Sequence, residues 1–321
     1  MDNRGKFEMK NRDQAFASIR TIQQGFQKAG YICSQQIANT LYLAYHLDKP
    51  ILVEGPAGVG KTELSKVTAT YLGLPLIRLQ CYEGLDESKA LYEWKYGKQL
   101  LYTQILKDKL NELLTGADTL ASSISKLHQY DDIFFSTDFL EPRPLLKALQ
   151  QKEGAVLLVD EVDKSDQEFE AFLLEILSDF QVSVPEIGTV KALSMPFVFL
   201  TSNNTREMSE PLKRRCLHLF IPFPEPKLER KIIKVRVPEL SENLRRQLVS
   251  FINQVRHLDL KKIPSVSETI DWARVLVLLH ASKLDPDLIK DTLNVFLKFE
   301  NDIDIVKEQL YDLSEKAMRT V

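Results

Sequence analysis

The chain is poor in cysteine, has no long hydrophobic run and carries no strong excess of either charge. Its 321 residues include three cysteines, Cys33, Cys81 and Cys216, which lie far apart in the sequence. This spacing fits neither a disulfide framework nor a Cys-x-x-Cys metal site. Scattered thiols of this kind are typical of the reducing cytosol, so we expect a cytoplasmic protein.

Two further absences concern membranes and nucleic acid. No apolar run approaches the roughly 20 residues of a membrane-spanning helix, and the first residues, MDNRGKFEMKNRDQ, lack the apolar core of a signal peptide. The formal net charge of -3 gives no global attraction to nucleic acid or to an anionic membrane. We therefore expect no membrane span and no nucleic-acid partner.

What is present is a globular composition, with 44% hydrophobic and 27% charged residues, in which apolar strands alternate with amphipathic helices. This alternation indicates a parallel α/β sheet that is covered on both faces. The predicted strands are 50–53, 74–81, 154–163 and 196–204, with a β-hairpin over 180–193 and a strand-like stretch from Tyr92 to Tyr96. The predicted helices are 13–29, 37–45 (with Ser34 as N-cap), 63–72 (ending at Gly73), 99–114, 143–151 and 167–180.

The composition changes at FIPFPEPKLER (220–230), where three prolines mark a linker. Beyond it the apolar spacing is helical, over 244–255, 269–284, 287–299 and 303–318. We therefore predict an N-terminal helical extension (1–30), an α/β core (31–224) and an all-helical C-terminal domain (225–321).

The stretch PILVEGPAGVGKTELSK places a glycine-rich turn between a strand and a helix. It fits the P-loop pattern Gly-x4-Gly-Lys-Ser/Thr, in which backbone N–H groups surround phosphate oxygens at the positive end of a helix. Here Lys61 would reach the β and γ phosphates, and the Thr62 hydroxyl would bind Mg²⁺. The alternative is a turn without a ligand. The predicted phosphate-binding residues are Gly55, Pro56, Ala57, Gly58, Val59, Gly60, Lys61 and Thr62.

The apolar strand VLLVDE ends in two acids, Asp160 and Glu161. At the carboxyl edge of an α/β sheet, the aspartate can hold the Mg²⁺ water shell and the glutamate can activate the attacking water. The alternative is two solvated acids at a helix start, where they favour the helix dipole. Asp163 is expected at a helix N-terminus rather than as a third ligand.

Two further segments carry candidate groups. FLTSNN ends a buried strand, so Asn203 can lie near the γ-phosphate, although asparagine is also a common turn former. EPLKRRC contains Arg214 and Arg215, which are either a solvated face or, from a neighbouring subunit, a charge that stabilises the transferring phosphoryl group.

In this order the motifs resemble those of an AAA+ ATPase over roughly residues 30–321. GPAGVGKT is similar to Walker A, VLLVDE to Walker B, TSNN to sensor 1 with Asn203, and LKRRC to the arginine-finger segment, with Arg215 first and Arg214 second. The hairpin VSVPEIGTV resembles the insertion before sensor 1 of one AAA+ subgroup.

Longer blocks resemble the MoxR family, and its CoxD branch in particular: LQCYEGLDESKALYEWKYGKQLL, RPLLKAL, DEVDKSDQEFEAFLLEILSDFQVSVPEIGT and SNNTREMSEPLKRRCL. The resemblance implies a P-loop NTPase (AAA+) core with a helical lid, ATP and Mg²⁺ as cofactors, and a ring, commonly a hexamer. It also implies chaperone-like remodelling of a client protein complex, often beside a partner with a von Willebrand factor A domain. Relatives of the CoxD branch are linked to maturation of the metal centre of a molybdenum enzyme.

One position departs from the family pattern. Many MoxR-like proteins carry a sensor 2 arginine at the start of a lid helix, where PSVSETIDWAR here has Ser267 or Glu268. Arg274, two turns further on, is a possible substitute.

Two residues near the second strand allow two interpretations each. Gln80 is expected to face water, and the alternative is that it restrains Glu161. Tyr82, in the turn Tyr-Glu-Gly, is expected to pack, and the alternative is contact with a client chain. The alternatives for the whole protein are a nucleic-acid-dependent AAA+ motor and a nucleotide-gated scaffold with little turnover.

Overall fold

The structure is a computed structural model, and it describes residues 12–105, 139–185 and 187–319. The predicted end of the helix after the phosphate loop is confirmed, because Gly73 caps it in the left-handed conformation. The first segment contains α1 (Arg12–Ala15), α2 (Ile19–Lys28), α3 (Gln35–His46), β1 (Ile51–Glu54), α4 (Lys61–Leu72), β2 (Leu76–Gln80), α5 (Glu87–Ala90), β3 (Tyr92–Trp94) and α6 (Tyr96–Ile105).

The middle of the chain supplies the remaining strands. The predicted hairpin is observed as two antiparallel strands, β6 and β7 below. The elements are β4 (Leu140–Pro142), α7 (Pro144–Leu149), β5 (Val156–Asp160), a 3₁₀ turn (Val162–Lys164), α8 (Gln167–Asp179), β6 (Gln181–Val184), β7 (Gly188–Lys191), β8 (Phe197–Ser202), α9 (Glu210–Arg215) and β9 (Leu217–Phe220).

Five strands form one parallel sheet in the order β2–β5–β8–β1–β9. Because parallel strands run in one direction, their carboxyl ends meet at a single edge, which is the usual ligand edge of such sheets. The glycine-rich loop follows β1, Asp160 ends β5, and Asn203 follows β8 directly. The predicted parallel α/β core is therefore confirmed.

The central strands are buried on both faces, which explains their uninterrupted apolar sequences. In β5, Val156 and Leu158 pack in one core with residues of α2, α3 and α4, whereas Leu157 and Val159 pack in a second core with residues of α7 and α8. This double coverage holds the edge that carries the candidate site in a fixed place.

The C-terminal part is helical, as predicted, and packs around its own core. Trp272 is fully buried, and its ring centroid lies 4.4 Å from that of Phe296 and 5.5 Å from that of Phe251. Its indole N–H donates to Thr292 Oγ1 at 2.9 Å, so its polar atom is satisfied. The domain boundaries at residues 30 and 224 remain predictions. The helices are α10 (Pro226–Arg236), α11 (Glu242–Val255), α12 (Val266–Leu278), α13 (Pro286–Phe296), α14 (Glu300–Glu308) and α15 (Leu310–Arg319).

Two single helical patterns are divided in the structure. The pattern over 13–29 becomes α1 and α2, because the Ser18 side chain accepts a hydrogen bond from Thr21 N at 3.1 Å and starts a new helix. The pattern over 303–318 becomes α14 and α15, which meet at Gln309. Apolar spacing survived both interruptions, so periodicity alone did not reveal them.

Several element bounds also differ from those predicted. Tyr96 begins α6 instead of extending β3, and the lid helix predicted from 269 begins at Val266 and ends at Leu278. The predicted helix over 99–114 is observed to Ile105, and its remainder lies outside the described residues. Across the described ranges, no helix is both long and apolar enough to cross a membrane.

The packing of α2 on α4 gives a stability test. A Cβ at Gly25 would lie 2.0 Å from Cε2 of Tyr71, whose hydroxyl donates to Ala15 O at 2.7 Å. Gly25→Ala must displace this ring, so we expect a loss of about 1–3 kcal/mol in the free energy of unfolding, despite the better helix propensity of alanine.

Urea unfolding measures this change, and Gly97→Ala is the matched control. Gly97 also lies in a helix, and no atom of the described residues lies within 4 Å of the point that its added Cβ would occupy. We expect no loss of stability for the control. Equal losses in the two variants would contradict the close packing of α2 on Tyr71.

Candidate active site

The glycine-rich loop lies close to two other segments. A Cβ at Gly55 would lie 2.2 Å from the carbonyl oxygen of Ile221, and one at Gly58 would lie 2.5 Å from Cβ of Ser265. Both glycines have positive φ angles, 146° and 72°, which L side chains rarely adopt. A side chain is therefore excluded at both positions by contact and by conformation.

A cavity of about 300 Å³ opens between this loop and the carboxyl edge of the sheet. Of the predicted residues, it is lined by Ala57, Gly58, Gly60, Lys61, Thr62, Asp160, Glu161 and Asn203. The structure thus brings together side chains from three separate strand ends. Gly55 and Pro56 contribute through their carbonyl groups, and Val59 lines an adjoining cavity.

The Lys61 ammonium is buried inside the loop. Its Nζ donates to Gly55 O at 2.6 Å, Pro56 O at 2.7 Å and Asn203 Oδ1 at 2.7 Å. Burial lowers the pKa of Lys61, while the carboxylates of Asp163, Asp160 and Glu161 act in the opposite direction. A buried cation surrounded by oxygen acceptors is suited to exchange some of them for phosphate oxygens.

Thr62 and Asp160 form a pair of oxygen ligands at the cavity wall. Thr62 Oγ1 donates to Asp160 Oδ1 at 3.1 Å, and the Thr201 hydroxyl donates to the same oxygen. Within the described ranges, no group of three or more histidine, cysteine or acidic side chains is placed to hold a metal. One carboxylate and one hydroxyl beside a phosphate loop fit Mg²⁺, which keeps several waters and takes phosphate oxygens.

Glu161 is held by three side chains. Its Oε2 accepts from Gln80 Nε2 at 2.8 Å and from Lys164 Nζ at 2.7 Å, and its Oε1 accepts from Asn203 Nδ2 at 3.2 Å. The hydrogen bond to Glu161 raises the pKa of Lys164. The expectation that Gln80 faces water was wrong, because β2 pairs with β5 and places Gln80 beside Asp160 and Glu161.

Asp163 organises the loop after β8. Its Oδ2 accepts from Asn203 N at 3.2 Å, from Thr205 N at 3.0 Å and from the Thr205 hydroxyl at 2.5 Å. Burial would raise the pKa of Asp163, but these hydrogen bonds together lower it below its usual value. Asp163 lies in the first turn of the short 3₁₀ segment, in line with the expected helix N-terminal position, and it also positions Asn203.

Two cationic side chains at the site were not predicted from the sequence. Arg78 projects from β2 and pairs with Asp160 Oδ2, with its Nη2 at 2.6 Å. Lys164 lies one turn after Glu161 and pairs with it. A single charged residue inside the apolar strand LPLIRLQC was an available signal for Arg78, whereas Lys164 gave none that separates it from a solvated lysine.

Arg214 and Arg215 lie away from this cavity. Both are exposed at the end of α9, just before β9, and Leu217 of β9 pairs with Ile51 at the amino end of β1. The loop follows the other end of β1, about 10 Å further along the strand. Arg215 Nε donates to Ser178 Oγ at 2.6 Å, and Arg214 pairs with Glu210 at 3.4 Å. Neither arginine is therefore brought to the site of its own chain.

The C-terminal helices (the lid, α10–α15) place Ser267 at the position where a sensor 2 arginine was expected. Ser267 lines the cavity, and its amide and hydroxyl donate to Gly58 O at 3.2 Å and 3.3 Å. Glu268 instead caps its own helix through Ser265, and Arg274 pairs with Asp271 at 3.1 Å. Among the described residues, no arginine of the C-terminal helices lines this cavity, whereas Arg236 of α10 lines the adjoining one beside Gly58 and Gly60 and pairs with Glu63 at 2.9 Å.

An apolar cavity of about 360 Å³ adjoins the first. The two cavities share Gly58, Gly60, Glu63 and Ser267 in their walls. The second is otherwise lined mainly by apolar groups from the core, the linker and the lid: Tyr31, Ile37, Val59, Phe220, Pro222, Phe223, Leu228 and Ile270. Its volume and lining suit a largely apolar group attached to a phosphate chain.

Comparison with known proteins finds one matching family model and several relatives. A family model described as "AAA domain (dynein-related subfamily)" matches residues 50–216, slightly more than half of the chain. An uncharacterized protein of Staphylococcus epidermidis is 25% identical over 240 residues, which cover 73% of this chain and 77% of that protein. An uncharacterized protein of Staphylococcus haemolyticus is 23% identical over 258 residues, covering 78% and 84% of the two chains.

The lowered pKa of Asp163 leads to a pH prediction. The charged form is favoured in the folded protein, so its contribution to stability is complete above the unfolded pKa of about 3.9 and is lost as the pH falls through the lower folded value. Asp163→Asn should therefore lower the free energy of unfolding by about 1–3 kcal/mol at neutral pH, and this difference should shrink below about pH 4.

Urea unfolding of both proteins between pH 3 and pH 7 measures the difference. Glu168→Gln is the control, since Glu168 is an exposed acid in the first turn of α8. A difference that is the same at pH 3 and pH 7 would contradict a charge-based role of Asp163.

Proposed function

The chain belongs to the AAA domain family, dynein-related subfamily, and on this basis we propose that it is an Mg²⁺-dependent ATPase. The reaction is hydrolysis of ATP to ADP and phosphate. The observation that carries the proposal is that five side chains line one cavity between the glycine-rich loop and the sheet edge. They are Lys61, Thr62, Asp160, Glu161 and Asn203.

Each of these side chains has a role that follows from its position. Lys61 and the loop amides bind the β and γ phosphates, and Thr62 with Asp160 holds the metal. Mg²⁺, when bound, supplies positive charge to the phosphate oxygens. Glu161 accepts the proton of the attacking water, and Asn203 orients that water. The apolar cavity receives the base and ribose.

The contacts of Glu161 favour slow turnover by the isolated protein. Of the roughly four acceptor sites of this carboxylate, Gln80, Lys164 and Asn203 occupy three and so restrict its freedom to turn towards water. This observation supports a protein whose turnover rises when a partner changes the site. It also keeps the nucleotide-gated scaffold with little turnover as a second candidate.

The assembly and the client are proposed from the resemblance to the MoxR family and its CoxD branch. We propose that the protein forms a ring in the cytoplasm, with six subunits, as is common in that family. Arg215 of one subunit then contributes to the site of its neighbour. The exposure of Arg215 and its distance from its own cavity support action in trans. The proposed work is chaperone-like remodelling of a client protein complex with a von Willebrand factor A-domain partner, such as maturation of a molybdenum enzyme.

Glu161→Gln tests the hydrolytic role. The amide cannot accept the proton of water, so we expect kcat to fall by about 10²-fold or more, while ATP still binds. Phosphate release and the fluorescence of a labelled ATP analogue measure the two properties separately. Glu168→Gln should retain turnover, and a Glu161→Gln variant with normal phosphate release would contradict the assignment.

Subunit mixing tests action in trans. We expect Arg215→Ala to lower turnover by about 10³-fold or more, because a guanidinium no longer stabilises the transferring phosphoryl group. In a mixed ring, a subunit with Arg215→Ala still has Glu161 and can receive Arg215 from a Glu161→Gln neighbour. Mixing the two inactive variants should therefore restore part of the phosphate release.

Single variants of the two arginines show which of them acts on the neighbouring site. Arg214→Ala, the neighbouring exposed arginine, should lower turnover less than Arg215→Ala. No recovery on mixing, in assemblies shown by light scattering to contain both variants, would contradict action in trans. A normal rate for Arg215→Ala with a lost rate for Arg214→Ala would reverse their order.

A further inference from the structure

Arg78 lies in the middle of the edge strand β2 and pairs with the carboxylate that the proposed function assigns to the metal. Its Nε lies 2.9 Å and its Nη2 lies 2.6 Å from Asp160 Oδ2. The Asp160 side chain is 4% exposed, whereas that of Arg78 is 50% exposed. The guanidinium thus reaches from the surface to a buried acid.

The two oxygens of Asp160 have different main partners. Oδ1 accepts from the hydroxyls of Thr62 and Thr201, which are neutral donors. Oδ2 accepts both contacts of Arg78, which supplies the positive charge, and a longer one of 3.4 Å from the Thr62 hydroxyl. A buried carboxylate is costly without such a partner. A divalent cation at Asp160 would supply that charge instead.

Arg78 has a second contact that leads to Glu161. Its Nη2 donates to Gln80 Oε1, and Gln80 Nε2 donates to Glu161 Oε2 at 2.8 Å. An amide group has one accepting end and one donating end. The contact with Arg78 therefore keeps the donating end of Gln80 turned towards Glu161.

We propose that Arg78 is a positioning residue that competes with Mg²⁺ for Asp160 and, through Gln80, links that exchange to the restraint on Glu161. The inference rests on the proposed function, since it assumes that Asp160 receives the metal with the nucleotide. When Mg²⁺ replaces Arg78 at Asp160, Arg78 loses its ion pair. Its hydrogen bond then holds the Gln80 amide less firmly. Glu161 is then freer to meet the attacking water.

The test is a Mg²⁺ titration with a fluorescent, non-hydrolysable ATP analogue, so it does not depend on turnover. Arg78→Met keeps a long side chain but removes the charge and the donors. Because Mg²⁺ then has no competitor at Asp160, we expect the half-saturating Mg²⁺ concentration to fall by up to about fivefold, the upper end of the range for an exposed charge pair. Arg246→Met is the control, since Arg246 is 44% exposed and pairs with Glu242 on the lid.

A double-mutant cycle tests the link through Gln80. Gln80→Ala removes one of the acceptors that hold Arg78, so it should lower the half-saturating Mg²⁺ concentration in the wild-type background. In the Arg78→Met background, the same substitution should have no further effect, because the group that it acts on is gone. Equal effects in the two backgrounds would overturn the link to Gln80.

Arg78→Lys provides a second test in case Arg78→Met does not fold. Lysine keeps the positive charge but has one donor nitrogen in place of three. We expect its half-saturating concentration to lie between those of the wild type and Arg78→Met. An unchanged or higher concentration in folded variants that still bind the analogue would overturn the competition and leave the ATPase proposal intact. Failure of the wild type to bind the analogue at any Mg²⁺ concentration would overturn both.

Discussion

The parallel register of β1, β5 and β8 is the constraint on which the site depends. It sets Val53 opposite Thr201 and Val159 opposite Leu200, so that three strand ends deliver their polar residues to one edge. Because side chains alternate across a sheet, a slip of one residue in β8 would turn the Thr201 hydroxyl away from Asp160. The two buried cores, one on each face, hold this register through apolar packing and therefore act on the chemistry indirectly.

The second feature that affects nucleotide binding is the set of hydrogen bonds and ion pairs that three cations make inside the cavity. Lys61 contacts Asn203, Arg78 contacts Asp160, and Lys164 contacts Glu161. In the proposed function, a triphosphate that enters with its cation would exchange these contacts, so that part of its binding energy would be used for rearrangement. The lid takes part as well: Ser267 bonds to the loop, and Arg236 of α10 pairs with Glu63 of α4 at 2.9 Å. In the proposed function, such contacts would connect a bound nucleotide to the C-terminal helices.

The sequence predicted the groups that lie inside short motifs, because each motif carries its residues to one strand end. Arg78, Lys164 and the orientation of Gln80 could not be predicted in this way, since they depend on which strands are neighbours and on where side chains point. The Asp163 contacts likewise join two segments that are 40 residues apart in the chain. The roles of Arg214 and Arg215 remain predictions, because they concern a second subunit. The fold class followed from strand–helix alternation, whereas helix boundaries such as Ser18 depended on single caps.

The central claim is that the glycine-rich loop and the sheet edge together hold a metal-bound triphosphate. The most direct measurement is an equilibrium titration of the folded protein with a fluorescent ATP analogue and Mg²⁺, repeated with Lys61→Ala. We predict saturable binding of one nucleotide per chain by the wild type and a loss of that binding in the variant, because Lys61 is the buried cation of the loop. Absence of saturable binding by well-folded wild-type protein, or equal binding by the variant, would contradict the account.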